Sequence, residues 1–223
     1  MGTDNLHHKR RAKRASDLAR RKAKREPYEK VLIVCEGEKT EPNYFKKLKD
    51  HLELSSANVM VTGECDSSPI SIVDYAIQRY KLEKSTGDSF DKVFCVFDKD
   101  SHQTYDNAVR KINAENPKGV FVSIGSVPCF EYWLLLHYLY TTKPYEGAGK
   151  NSACGNLISE LQNYLPGYEK CDASVFDQIV DELPRAIKYS ERSLSEAQRN
   201  GTDNPSTYVH VLVEYLSEIK NIR

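Results

Sequence analysis

Four short apolar runs, KVLIVC (30–35), NVMVTG (58–63), DKVFCVFD (91–98) and GVFVSIG (119–125), are spaced along the first 125 residues and separated by helical patterns. The strand within each run is four to seven residues without polar alternation, the signature of a strand buried on both faces. Pro42 suits the first turn of a helix over about 42–53. Pro69 opens another, whose Ile72, Val73, Ala76, Ile77 and Tyr80 recur at helical spacing before the turn residues Gly87 and Asp88. A polar helix over about 103–115 completes the alternation. Buried strands alternating with helices predict an α/β fold, a parallel sheet flanked by helices.

The pattern changes after residue 125. PCFEYWLLLHYLY (128–140) is too apolar for a surface helix. A loop carrying Pro144, Gly147 and Gly149 follows, and then helical patterns over about 152–165, 174–200 and 205–221. None of these has an apolar face large enough for a core of its own, so they read as a helical extension packed on the same core. The resulting division is a basic, flexible arm over 1–26, an α/β domain over 27–140 and the extension over 141–223.

Mean hydropathy is −0.61 and no apolar run approaches the 18 or so residues of a membrane span, which predicts a soluble protein with no membrane partner. MGTDNLHHKR has no apolar signal-type centre, and the six cysteines form no CxxC pair. Cys35, Cys95 and Cys129 lie in apolar stretches, where a thiol acts as a small hydrophobe. The expectation is a cytoplasmic chain without disulfides or a zinc site. The net charge of zero hides an asymmetry. Residues 1–26 hold ten Lys/Arg, among them Arg10, Arg11 and Arg14, against Asp4, Asp17 and Glu26. Such an arm can neutralise nucleic-acid phosphates, or it can be a solvated, partly helical tail.

Two of the strands end in carboxylates. VLIVC runs into Glu36, and VFCVF runs into Asp98-Lys99-Asp100. Ligands of open α/β sheets collect at the carboxyl ends of strands, and strand alternation sends Asp98 and Asp100 to one side. Such a pair suits Mg²⁺, or Mn²⁺, which takes one or two carboxylates and completes its shell with water and phosphate oxygens. Glu36 can join as ligand or proton carrier, with Gly37 allowing a sharp turn or a close phosphate approach. Charges and Asp caps are also common where strands emerge into water. His102, two residues past Asp100, is a candidate acid or metal neighbour, or a plain helix-start residue. Lys39 is a candidate phosphate contact. Glu131 lies near the end of the fourth strand and can reach the acids as a further ligand; a buried glutamate otherwise needs a partner. His137 reads as a hydrogen-bonded core histidine. Pro205 with Ser206 or Thr207 marks a helix start, which with Lys170 and His210 either caps a helix or faces a phosphate. Glu41 suits the positive end of the helix beginning near Pro42.

An apolar strand ending in Glu-Gly, with a later one ending in Asp-x-Asp, resembles the Toprim domain of topoisomerases, primases and overcoming-lysogenization-defect nucleases. More closely, VLIVCEGEKTEPNYF, VFCVFDKDSH, PCFEYWLLLHY, GYEK (167–170) and NPSTYVHVLV (204–213) together resemble the RloB family over roughly residues 28–215. The resemblance implies a Toprim-like fold, metal-dependent phosphodiester cleavage and a role in bacterial defence beside an AAA-type ATPase. It gives Glu36 the place of the catalytic glutamate and Asp98 and Asp100 that of the metal-binding pair. Glu38 and Glu41 belong to the family motif with roles left open.

The function expected is therefore a Mg²⁺-dependent nuclease acting on DNA or RNA, as monomer or homo-oligomer. Nucleotidyl transfer or nucleotide hydrolysis would use the same acids, and a non-catalytic subunit of an ATPase complex would retain them with the fold. No GxxxxGK[ST] motif is present, so nucleotide hydrolysis in such a system falls to a partner. The fourteen tyrosines are scattered as packing residues rather than arrayed as a base-stacking platform.

Overall fold

The computed structural model describes residues 4–23, 26–64, 68–99 and 102–221. In chain order the elements are α1 (Asp4–Ala23), β1 (Val31–Cys35), α2 (Thr40–His51), β2 (Val59–Thr62), α3 (Pro69–Ser85), β3 (Lys92–Asp98), α4 (Tyr105–Ala114), β4 (Phe121–Val127), α5 (Glu131–Leu135), α6 (Ala153–Leu161), α7 (Val175–Ile179), α8 (Leu183–Asn200), β5 (Ser206–Thr207) and α9 (Val209–Glu218). The sheet runs β2-β1-β3-β4-β5. Its first four strands are parallel and β5 is antiparallel to β4.

Both faces of β1 are covered, which is why VLIVC is apolar throughout. Val31, Ile33 and Cys35 pack into a cluster with α2, α5, α6, α7 and α9, whereas Leu32 and Val34 pack with α3 and α4. The same division separates Phe94 and Val96 from Val93, Cys95 and Phe97 on β3. The helices after residue 140 thus share a core with the sheet. Among the described residues no helix is long and apolar enough to cross a membrane.

Lys30, just before β1, is buried and donates to Glu83 Oε2 (2.7 Å), Asp88 Oδ2 (2.9 Å) and the Asp88 carbonyl (2.8 Å). Arg21 in the last turn of α1 joins the same glutamate at 2.7 Å, which ties the basic helix to α3.

Three expectations are corrected. The apolar 128–140 segment is buried through His137, yet only Glu131–Leu135 is α-helical. Ser206 and Thr207 do not begin a helix: they pair with Val127 and Ser126 of β4. Thr207 Oγ1 accepts the Val209 N–H at 3.2 Å, so the hydroxyl serves the start of α9 two residues later. The cysteines are not all reduced, since Cys129 and Cys154 form a disulfide with their Cα atoms 5.8 Å apart. A pairing made across 25 residues by the packing of α6 leaves no spacing signal.

Candidate functional site

From β1 the chain crosses to β2 on one side and then returns past β1 to β3 on the other. The carboxyl ends of β1 and β3 therefore flank the point where crossovers diverge, the usual ligand crevice of a doubly wound sheet. Cys35 is in register with Val96, so Glu36 leaves β1 beside the last residue of β3, Asp98. The Glu36 N–H donates to the Val96 carbonyl at 3.0 Å, and Glu36 Oε2 accepts the Asp98 N–H at 3.0 Å. Glu36 Oε1 lies 3.2 Å from His102 Nε2.

Phe94 and Val96 face α2 and α5, and alternation carries Asp98 to that face. There the Phe130 N–H favours the charged form of the Asp98 carboxylate. The next residue, Glu131, is 2% exposed. Its Oε1 accepts the Tyr168 hydroxyl at 3.0 Å and lies 3.7 Å from Lys170 Nζ. Glu41, in the first turn of α2, is 8% exposed and completes the group.

The electrostatics show four carboxylates crowded together. Burial and then the charges of Glu41, Glu131 and Glu36 push Asp98 well above the carboxylate range, against the pull of the Phe130 N–H. Burial raises Glu41 to about 8, helped by Glu131 and Glu36 and opposed by its own N–H and Lys170. Burial also raises Glu36, opposed by the Asp98 N–H, His102 and Lys170. Like charges in a desolvated site resist common ionisation unless a cation joins them.

The oxygen-only donor set fits a hard divalent cation. Among the described residues, the one trio with ligand atoms all within 4.8 Å of one another is Cys129, Glu131 and Cys154. The wider spacing of the carboxylates suits an ion that keeps several waters.

Of the sequence candidates, Glu36, Asp98, His102, Glu131 and Lys170 are brought together; Asp100 lies outside the described residues. Lys39 is exposed just before α2. His210 is held elsewhere, with Nδ1 2.7 Å from Ser190 Oγ on α8. Arg10, Arg11 and Arg14 are exposed along α1. His137 is a core residue: its Nδ1 is 3.0 Å from the Trp133 carbonyl, and burial lowers it to about 4. Sequence reasoning missed Glu41 as a cluster member, along with Tyr168. Glu38 stays exposed.

Two glycines shape the rim. Gly37 turns with φ +68°, and a Cβ on Gly63, just after β2, would stand 1.8 Å from the Gly37 carbonyl oxygen. The loops after β1 and β2 touch backbone to backbone.

No curated protein and no solved structure matches the chain. A family model described as RloB-like protein matches residues 31–216.

Proposed function

The chain belongs to the RloB-like protein family, and from this premise together with the acidic crevice we propose that it is a Toprim-like, metal-dependent nuclease that hydrolyses phosphodiester bonds of DNA or RNA. The observation that carries the reading is the convergence of Glu36, Glu41, Asp98 and Glu131 at the divergence point of the sheet, with raised proton affinities at three of them.

Asp98, Glu36, Glu41 and Glu131 are the residues that would hold Mg²⁺ or Mn²⁺, and the cation would neutralise charge building on the scissile phosphate. Glu36 Oε1 is the atom placed to take a proton from an attacking water and exchange it with His102 Nε2, 3.2 Å away. Lys170, beside Glu131, balances part of the cluster's charge and faces the substrate's phosphates. Arg10, Arg11 and Arg14 on α1 add sequence-independent contacts to the nucleic acid. The wider setting is an antiviral effector in the cytoplasm working with an AAA-type ATPase.

The test is cleavage of plasmid DNA and of tRNA by purified protein with Mg²⁺ or Mn²⁺, alone and with a candidate AAA-type ATPase partner. Asp98→Ala should abolish cleavage with the fold intact. Cleavage that persists in both Glu36→Ala and Asp98→Ala would end the assignment.

A further inference from the structure

Glu131 stands between two chemistries. Its Oε1 faces Tyr168 and Lys170 in the acidic crevice, while its Oε2 lies 3.5 Å from Cys154 Sγ. Cys154 sits in the first turn of α6 and is bonded to Cys129. Cys129 in turn immediately precedes Phe130, whose N–H favours the charged form of the Asp98 carboxylate. One disulfide therefore touches one proposed cation ligand through space and is linked to another through a single residue of backbone.

We propose that Cys129 and Cys154 are a site of reversible thiol oxidation that sets the cation affinity of the acidic crevice. This rests on the metal-site reading above. In the dithiol state the Cys154 S–H is a donor within reach of Glu131 Oε2. That contact occupies a lone pair and lowers the electron density the carboxylate can offer an ion. In the disulfide state Cys154 has no proton to donate, and Glu131 Oε2 is released to a cation.

Oxidation breaks two S–H bonds and forms one S–S bond. Two electrons and two protons pass to a small-molecule disulfide of the oxidised glutathione class, which leaves as two thiols. The Cα separation of 5.8 Å lies in the range that a disulfide needs, so the cycle requires no backbone rearrangement. Both cysteines are buried, and the segment that leads into α6, residues 146–152, is exposed. Its local opening gives the small disulfide access. A thiolate-bound soft metal is the competing use of Cys129, Glu131 and Cys154. It is disfavoured because the two sulfurs are joined directly and Glu131 is already held on its other side.

The experiment is Mn²⁺ binding to the full chain by calorimetry, in protein reduced with a thiol or oxidised with oxidised glutathione, the thiol count being checked by mass. The oxidised protein should bind Mn²⁺ about fivefold more tightly, the worth of about one hydrogen bond. Cys154→Ala, which lacks the donor, should show the tighter value with or without reductant. Cys129→Ala, kept reduced so that no glutathione adduct forms on the remaining thiol, retains the Cys154 S–H and should show the weaker value. A plain structural cross-link predicts no such asymmetry. Equal affinities of the two wild-type forms, matching behaviour of the two variants, or a stoichiometric metal on the reduced thiols that blocks oxidation would each overturn the coupling while leaving the nuclease reading standing. Absence of Mn²⁺ binding in every state would overturn both. The wild-type comparison needs no mutant, so a variant that fails to fold does not spoil the test.

Discussion

Asp98 donates its backbone N–H to Glu36 Oε2 across 3.0 Å, so the end of β3 is fastened by a side chain from the end of β1. Shortening Glu36 therefore also removes the attachment of Asp98. Glu36→Gln preserves a carbonyl acceptor for that N–H and should fold as the parent does. Its cleavage should fall by about 10²–10⁴-fold, the usual worth of a positioned acid or base. Glu36→Ala should lose the same activity and about 1 kcal/mol of stability besides, for the acceptor removed. Cleavage assays paired with thermal melts separate the two effects.

Glu41 makes stability depend on pH. Its folded pKa is raised to about 8 from 4.5, so its favourable contribution is fully present below the unfolded value and is lost as pH rises through the folded one. Without divalent cations the melting temperature should fall between about pH 4.5 and 8, Asp98 acting in the same direction. Glu41→Gln should raise the melting temperature at pH 8 by about 3–6 °C, for ~1–2 kcal/mol, and weaken Mn²⁺ binding. Melts across pH with chelator and with Mg²⁺ provide the measurement; a cation should flatten the slope.

Arg10, Arg11 and Arg14 are exposed on α1, whereas Arg21 of the same helix is paired with Glu83. Replacing the first three with alanine should leave the melting temperature unchanged. It should also reduce the slope of log K against log salt by about 0.9 for each phosphate no longer neutralised on duplex DNA, or about 0.7 on a single strand. Titrations at several salt concentrations read this directly. An unchanged slope would make α1 a bystander.

Gly63→Ala places a methyl carbon 1.8 Å from the Gly37 carbonyl oxygen, where backbone has to shift. The expected cost exceeds about 2 kcal/mol. Because Gly37 follows Glu36, cation binding should weaken as well. Denaturant unfolding and Mn²⁺ titration of the same sample test both.

The strands and most helices were legible because burial on two faces leaves an unbroken apolar run, and Pro42 and Pro69 mark helix starts. Apolarity reports burial rather than conformation, which is why 128–140 reads as a long helix and forms a short one. Glu36 and Asp98 were legible from strand ends alone. Glu41 was not: a glutamate in the first turn of a helix satisfies the dipole, and nothing local reveals that α2 begins at the same crevice. Tyr168 and the Cys129–Cys154 bond come from packing between distant segments, which no pattern along the chain records.

β5 is only two residues long, yet Ser126 Oγ and Thr207 Oγ1 meet at 2.9 Å across its pairing with β4. A strand supplied from near residue 206 means that the parallel layer acquires its last border only when almost the whole polypeptide has been made. Trimming the gene back to the first 140 codons would yield an unfinished edge without Tyr168 or Lys170.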